Sequence, residues 1–462
     1  MPGETTAHDT GLGTLHRATL LDMLLRRRSR RFALGARMDA EPLRYESKHE
    51  PVPLSLEEEA AIVFAGTGVT GFALGDLSFG EDRSIGGGEL LINQLARTIA
   101  SPDGINAVTP FVINDDGAFY IRRPQDYPKA EVPELVERAR RREFTQLYER
   151  ARIRVADQRA EVPRVAPDTP PLNQWCTNLP GTTYFVLVSE LTATAIALLF
   201  QILNPEMGLM VYDERNGYAP TGLKRFGRSK GGHLYDDPND RRLATLNDFE
   251  SYVMELLAVE QGLMLASMQL AAEALGLGSF PHYGAQKWAW FEALGFRMEQ
   301  FPFSKLMAAG PVRSKLMSIV GKNPSIPIAV GLEVDGEPVI KPFCPPWYPS
   351  MEAAVHAFID MKYAEGTGYH RDFTDVSPWT EPKRIQSGIA SYTQENIDAV
   401  VAHCEYVYGR YGRFMGNYGP VRNLMAFQVH HIDLDFYDRF YKPGAYQDAH
   451  RDHFAVWHGD GR

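Results

Sequence analysis

Two long segments of the chain are almost entirely apolar, and both predict buried elements. Residues 182–188, TTYFVLV, predict a buried strand that runs into a core helix at residues 190–203, ELTATAIALLFQIL. Residues 256–275 are apolar nearly all round, which predicts a central buried helix. Gly276 and Gly278 follow it as C-terminal cap residues, because glycine adopts the left-handed conformation that ends a helix.

Shorter patterns predict the elements around this core. Apolar runs on both sides of Asp115, Asp116 and Gly117 predict a β-hairpin over residues 109–123. Ser55 and the acidic residues after it predict a helix start. Further helices are predicted at residues 15–31, 349–366 and 393–412, and a strand–turn–strand at 327–340. Helices alternating with a few strands predict an α+β or α/β fold.

The polar segments suggest how the chain is organised. We expect residues 1–14 to be disordered, residues 15–375 to form the main domain, and residues 376–462 to form a C-terminal extension. Polar, charged or proline-rich stretches near 125–175 and 210–250 are predicted to be insertions, and the second could be a lid over a site.

Composition and charge exclude several classes of function. The formal net charge of −10 disfavours nucleic-acid binding and anionic membrane surfaces. Residues 185–203 are long enough to cross a bilayer, but Glu190 and several hydroxyl groups interrupt them, so we predict no membrane span. Three widely spaced cysteines form no disulfide framework, which predicts a cytoplasmic location.

An arginine-rich segment offers candidate chemistry for an anionic ligand. Residues 26–32 read RRRSRRF, and arginines beside a hydroxyl group supply the donors that bind a phosphate monoester. The alternative is a solvated basic helix end.

Two further segments could contact a flat heterocycle. Residues 97–106 place polar side chains on a turn before a strand, and residues 276–284 place glycines after the buried helix, where backbone can approach a ring. The alternatives are an ordinary Pro-Asp-Gly turn and a simple helix cap.

In chain order these segments resemble the nitroreductase-like FMN-dependent flavoproteins, nearest the azoline dehydrogenases, which oxidise peptide thiazolines and oxazolines. Residues 27–32 are similar to the family's Arg-Arg-Ser-x-Arg-x-Phe segment, with Phe32 one residue early. Residues 54–71 and 96–121 are similar to its next helix and strand motifs, although Pro102 follows Ser101 instead of preceding it. QGLMLASMQLAAEALGLGS, residues 261–279, carries the most specific match.

The resemblance covers roughly residues 20–345. It implies a three-layer α+β sandwich with a central, mostly antiparallel sheet, and a homodimer that binds FMN between its subunits. It further implies a small-molecule substrate and hydride transfer through FMN, with NAD(P)H as the electron donor. The family's Lys-Tyr pair is not carried over, because Lys362-Tyr363 comes too late in the chain.

The resemblance also implies roles for individual residues. Arg27, Arg28, Ser29 and Arg31 would bind the FMN phosphate, and Arg97, Ser101 and Asn106 would face the ribityl chain or the ring edge. Phe280, Pro281, Tyr283 and Gly284 would line the ring. His282, beside that loop, is the candidate proton donor.

The C-terminal segment lies outside the resemblance. It contains His430, His431, His450, His453 and His458 among aromatic residues. Imidazole and carboxylate groups can bind a transition metal, but the spacing fits no familiar motif, so no metal ligand is assigned. Three functions therefore remain open: an FMN oxidoreductase, an FMN-binding protein without turnover, and a metal enzyme that uses these histidines. The last alternative competes with a tail of aromatic and histidine residues that packs over the partner subunit and covers the flavin pocket.

Overall fold

The computed structural model describes residues 12–74, 95–282, 287–307, 309–371, 377–389 and 391–458. The α-helices within them are α1 (Gly13–Arg17), α2 (Leu20–Arg26), α3 (Leu56–Thr67), α4 (Val132–Arg140), α5 (Phe144–Ala151), α6 (Thr192–Ile202), α7 (Leu246–Leu275), α8 (Lys287–Ala293), α9 (Phe303–Leu306), α10 (Pro311–Ile319), α11 (Met351–Tyr363), α12 (Pro382–Gly388), α13 (Gln394–Tyr411), α14 (Leu434–Phe440) and α15 (Asp448–His458).

The strands are β1 (Arg37–Met38), β2 (Tyr45–Glu46), β3 (Val69–Phe72), β4 (Leu95–Arg97), β5 (Val108–Asn114), β6 (Gly117–Ile121), β7 (Arg152–Ala156), β8 (Thr183–Glu190), β9 (Met210–Asp213), β10 (Ala219–Pro220), β11 (Leu243–Thr245), β12 (Gly278–His282), β13 (Arg297–Pro302), β14 (Ser325–Val334), β15 (Glu337–Ile340) and β16 (Val421–His430).

A six-stranded antiparallel sheet forms the centre of the fold, in the order β12-β16-β8-β5-β6-β7. Strand β8 is buried along its whole length, as its apolar sequence predicts. The predicted hairpin is present as β5 and β6, with Asn114 opposite Gly117 across a two-residue turn.

Successive side chains of β8 point into two different cores, because side chains alternate between the faces of a strand. Phe185 and Leu187 pack with α3, α6, α7 and α13 on one face of the sheet. Tyr184 and Val186 pack with α8 and β14 on the other face. The layers are therefore helices, the central sheet, and a smaller layer that contains the sheet β13-β14-β15. This confirms the predicted α+β class with a central antiparallel sheet.

The ends of two predicted helices show how local chemistry sets their boundaries. Ser55 and Glu58 form a reciprocal capping box at the start of α3. Helix α7 ends at Gly276, which has a φ of +83° and acts as its C-cap.

The predicted helix over residues 15–31 is instead two short helices followed by extended chain. The side chain of Thr19 caps α2 by accepting a hydrogen bond from the Asp22 amide, which starts a new helix there. Beyond Arg26 the backbone is extended, and the Arg30 amide donates to the Ser279 carbonyl at 3.2 Å. Tertiary contacts therefore override the helical pattern of the arginine run.

The C-terminal segment, predicted to be an extension, supplies a strand of the central sheet. β16 lies between β12 and β8, so residues 421–430 belong to the core layer. The domain boundaries themselves remain predictions. Among the described residues, no helix has the length and apolar character that a membrane crossing requires.

Candidate functional site

A cavity of about 510 Å³ lies against the arginine-rich segment, and we call it the arginine cavity. Its volume falls within the range of small-molecule sites. The segments around residues 30 and 175 and the C-terminal residues surround it. Its lining residues are Arg28, Ser29, Arg30, Arg31, Phe32, Met38, Leu43, Trp175, Phe436, Tyr437, Tyr441, Gly444 and Ala445.

Arg30 is a structural member of this lining. Its Nη1 donates to both carboxylate oxygens of Glu273, at 2.9 and 2.8 Å, and its Nε donates to the Ala445 carbonyl at 2.9 Å. Both charged side chains are buried. Arg30 therefore fixes the arginine-rich segment to the end of α7, and it was not among the predicted phosphate ligands.

Arg28 and Ser29 are exposed and line the cavity, so their donors are accessible to an incoming anion. The Arg28 Nη1 donates to the neighbouring Arg27 carbonyl at 2.8 Å. Arg27 itself is half-buried and does not belong to the lining. Of the four predicted phosphate ligands, the structure thus brings Arg28, Ser29 and Arg31 to one cavity.

Arg31 connects the cavity to the predicted ring-binding loop. Its guanidinium lies 4.7 Å from the ring centre of Phe280 and 5.6 Å from that of Trp175. Its Nη2 hydrogen-bonds Asn173 and lies 3.4 Å from the Cys176 sulfur. Its buried Nε has no hydrogen-bond partner within the described residues. A ligand with an acceptor atom would complete the hydrogen bonding of this donor.

Aromatic side chains from both ends of the chain form the walls of the cavity. Phe32 stacks on Phe436 with ring centres 4.0 Å apart, and Trp175 stacks on Phe32 at 6.0 Å. The Phe32 amide donates to the Tyr437 hydroxyl at 3.3 Å. The C-terminal aromatic residues thus pack over this cavity within the same chain. A flat apolar ligand would find stacking surfaces here.

His282 lies at the end of β12, buried beside Cys176 and Thr177. Its Nε2 is 3.9 Å from the Cys176 sulfur and 3.5 Å from the Thr177 hydroxyl. Burial, together with the charge of Arg31, lowers the pKa of His282 to about 3, so the imidazole is neutral near pH 7. A neutral imidazole can still donate or accept a hydrogen bond at a ligand. Burial also raises the pKa of the Cys176 thiol, which disfavours a thiolate nucleophile.

Two buried polar residues of β16 belong to the same region, and sequence reasoning did not assign them there. Gln428 lies opposite Phe280 in the sheet, and His430 lies opposite Gly278. Within the described residues, both amide atoms of Gln428 and both ring nitrogens of His430 lack hydrogen-bond partners. The alternation of side chains along a strand was the signal that could have found them, because it places residues 428 and 430 on the same face of β16.

The predicted ring-edge residues lie together but outside the arginine cavity. Arg97 Nη2 is 2.6 Å from Glu260 Oε1, and Ser101 Oγ is 2.6 Å from Glu260 Oε2. Arg97 also donates from Nε to Asn106 at 2.9 Å. Glu260 on α7 thus organises this turn, and none of these residues lines the arginine cavity.

The predicted ring-binding loop is described only in part. Phe280 is buried below Arg31, whereas Pro281 is exposed. Tyr283 and Gly284 lie outside the described residues.

The Lys-Tyr pair at residues 362–363 belongs to another part of the protein. Lys362 lines a second cavity of about 200 Å³, and its Nζ donates to the Tyr392 hydroxyl at 2.6 Å. Tyr363 packs edge-on against Tyr392.

No family model matches the chain, and no curated protein matches it. A solved structure from Ralstonia eutropha JMP134, a protein with a provisional nitroreductase assignment, aligns with 61% of this chain and 77% of its own, at 13% identity and a TM-score of 0.29. At a TM-score this low, the similarity supports no conclusion about family or activity, so the fold class rests on the sheet itself.

Proposed function

We propose that this protein is an FMN-dependent oxidoreductase that binds the cofactor in the arginine cavity. The observation that carries the proposal is the convergence of Arg28, Ser29 and Arg31 on a cavity walled by aromatic rings. The charged donors match the phosphate of FMN, and the aromatic rings match its flat ring system.

The residues present fit the phosphate end of the cofactor. Arg28 and Ser29 are exposed to the cavity, and the Nε of Arg31 has no acceptor within the described residues. A phosphate monoester would supply acceptors for these donors and would offset their charge. Arg30 is already neutralised by Glu273, so we expect it to position the segment instead of binding phosphate.

The aromatic walls fit the ring end, whereas His282 is not part of the cavity lining and lies beside Cys176, which Arg31 contacts. FMN, when bound, supplies the hydride chemistry, while the protein orients it and adjusts its electronics. Trp175 and Phe436 would hold the ring and exclude water. His282, being neutral, would act through a hydrogen bond, and Gln428 and His430 offer further donors and acceptors nearby.

The proposal includes a homodimer, which the resemblance to the nitroreductase-like flavoproteins implies. Arg97 and Asn106 are buried in their own chain, bonded to each other and to Glu260, so a second copy would not bring them to the arginine cavity. Exposed apolar residues on α7, namely Tyr252, Val259 and Leu263, offer a surface for the dimer contact.

The visible spectrum of the purified protein tests the proposal. We expect bound flavin that bleaches anaerobically when NADH or NADPH is added. Flavin that no nicotinamide reduces would instead favour a binding protein without turnover, and colourless protein that takes up no added FMN would refute both.

Variants locate the site. Arg28→Ala combined with Arg31→Ala should lower FMN affinity at least tenfold, because both charged donors are removed. The control is Arg26→Ala, a nearby exposed arginine outside the cavity lining, which should retain FMN. Equal retention by the double variant and the control would refute the phosphate assignment. Circular dichroism of each variant separates loss of binding from loss of folding.

A further inference from the structure

We propose that Glu58, His431 and His453 form a binding site for one divalent first-row transition-metal ion. These residues come from three parts of the chain: the first turn of α3, the residue directly after β16, and α15. The fold brings them together in the interior, where all three are buried. This site is separate from the proposed FMN site and does not depend on it.

The geometry is close to that of a metal centre. His453 Nε2 lies 2.5 Å from Glu58 Oε1, and His431 Nε2 lies 3.7 Å from Glu58 Oε2. One ligand atom from each residue lies within 4.8 Å of the others. In a tetrahedral site with bonds of about 2.1 Å, ligand atoms are about 3.4 Å apart. The two nitrogen–oxygen distances, each to a different oxygen of Glu58, lie on either side of this spacing, so side-chain shifts of about 1 Å would admit an ion.

Neighbouring backbone orients two of the three ligands, as surrounding hydrogen bonds do in metal centres. The Ser55 amide donates to Glu58 Oε2 at 2.8 Å, which fixes the carboxylate within the capping box of α3. The backbone of Pro53, which can offer only its carbonyl, accepts a hydrogen bond from the His431 ring. Two imidazoles and one carboxylate leave a fourth position for water and suit zinc or ferrous iron.

Such an ion would connect the C-terminal segment to the rest of the fold. His431 and His453 flank the residues that form the C-terminal wall of the arginine cavity, including Phe436 and Tyr441. Binding both histidines to Glu58 would fix that wall in place. The competing explanation is a metal-free cluster in which His453 donates to Glu58, and the experiment must separate the two.

Metal content is measured on untagged full-length protein purified without chelators. We expect about one ion per chain by mass spectrometry, and after removal with EDTA, added Co²⁺ should restore one equivalent with the visible bands of a tetrahedral site. Glu58→Gln and His453→Gln should each lower affinity roughly tenfold or more. The matched control is His403→Gln, which alters another fully buried histidine, on α13, and should retain the ion.

The outcomes are decisive in both directions. Loss of the ion in the two cluster variants, with retention in the control, supports the site. Wild-type protein that binds no stoichiometric Zn²⁺, Fe²⁺ or Co²⁺ overturns it, as does unchanged binding in the cluster variants. If those variants fail to fold, the Co²⁺ spectrum of the wild type decides, because an aqueous-type spectrum contradicts the proposal.

Discussion

Removing Glu273 should destabilise the protein more than any exposed substitution on α7. The Arg30 guanidinium and the Glu273 carboxylate are 2% and 0% exposed, and two hydrogen bonds of 2.9 and 2.8 Å join them. In Glu273→Ala, Arg30 keeps the Ala445 carbonyl as a partner but loses its counter-charge. Leaving one partner of a buried ion pair unpaired costs about 3–5 kcal/mol of unfolding free energy.

Urea denaturation followed by tryptophan fluorescence measures this cost, since the shift in midpoint multiplied by the slope gives the change in free energy. The control is Glu255→Ala, which removes an exposed carboxylate from the same helix and should change stability by less than about 0.5 kcal/mol. Arg30→Met combined with Glu273→Leu should recover most of the loss, because apolar replacement of a whole buried pair is often neutral. The reasoning is wrong if Glu273→Ala costs no more than Glu255→Ala.

Two further predictions concern other parts of the fold. Gly276→Ala should lower the free energy of unfolding by about 2 kcal/mol or more, measured by thermal denaturation. The reason is that φ at this position is +83° and the new Cβ would lie 2.3 Å from the Ala449 carbonyl oxygen. The control is Gly262→Ala, which has open space around it and should be neutral or stabilising. Burial raises the pKa of Glu250 from 4.5 to about 7, so the folded protein holds this proton more tightly than the unfolded chain does. The stability that this proton contributes is therefore lost as pH rises from about 4.5 through 7. Glu250→Gln should reduce the loss of unfolding free energy over this pH range by on the order of 3 kcal/mol. An unchanged slope in the variant would contradict the assignment.

The elements that the sequence predicts well are those with local signals. The β5–β6 hairpin follows from Asp115-Asp116-Gly117 between apolar runs, and the end of α7 follows from Gly276. The position of β16 carries no comparable signal, because its partners β8 and β12 lie far away in the chain. Its polar residues Gln428 and His430 also made the segment resemble a histidine-rich tail.

The residues of the candidate site also differ in whether the sequence alone could identify them. Arg28, Ser29 and Arg31 could be named as candidate anion ligands, because a basic segment with a hydroxyl is visible in the sequence, and their binding of phosphate stays a prediction. The role of Arg30 could not, because its partner Glu273 is 243 residues away and the pairing depends on the complete fold. The same holds for the contact of Arg31 with Phe280, which only the tertiary structure creates.

The arginine-rich segment and the C-terminal segment depend on each other for their positions. The Leu34 amide donates to the His431 carbonyl at 3.0 Å, and the Asp433 amide donates to the Phe32 carbonyl at 3.2 Å. Ala33 and Ile432 pair as an antiparallel bridge between these bonds. Because the arginines that line the cavity lie directly before this bridge, their placement requires residues from the end of the chain. The C-terminal residues are therefore a structural part of the candidate site, and a ligand that binds the arginines would also contact the aromatic wall that those residues supply.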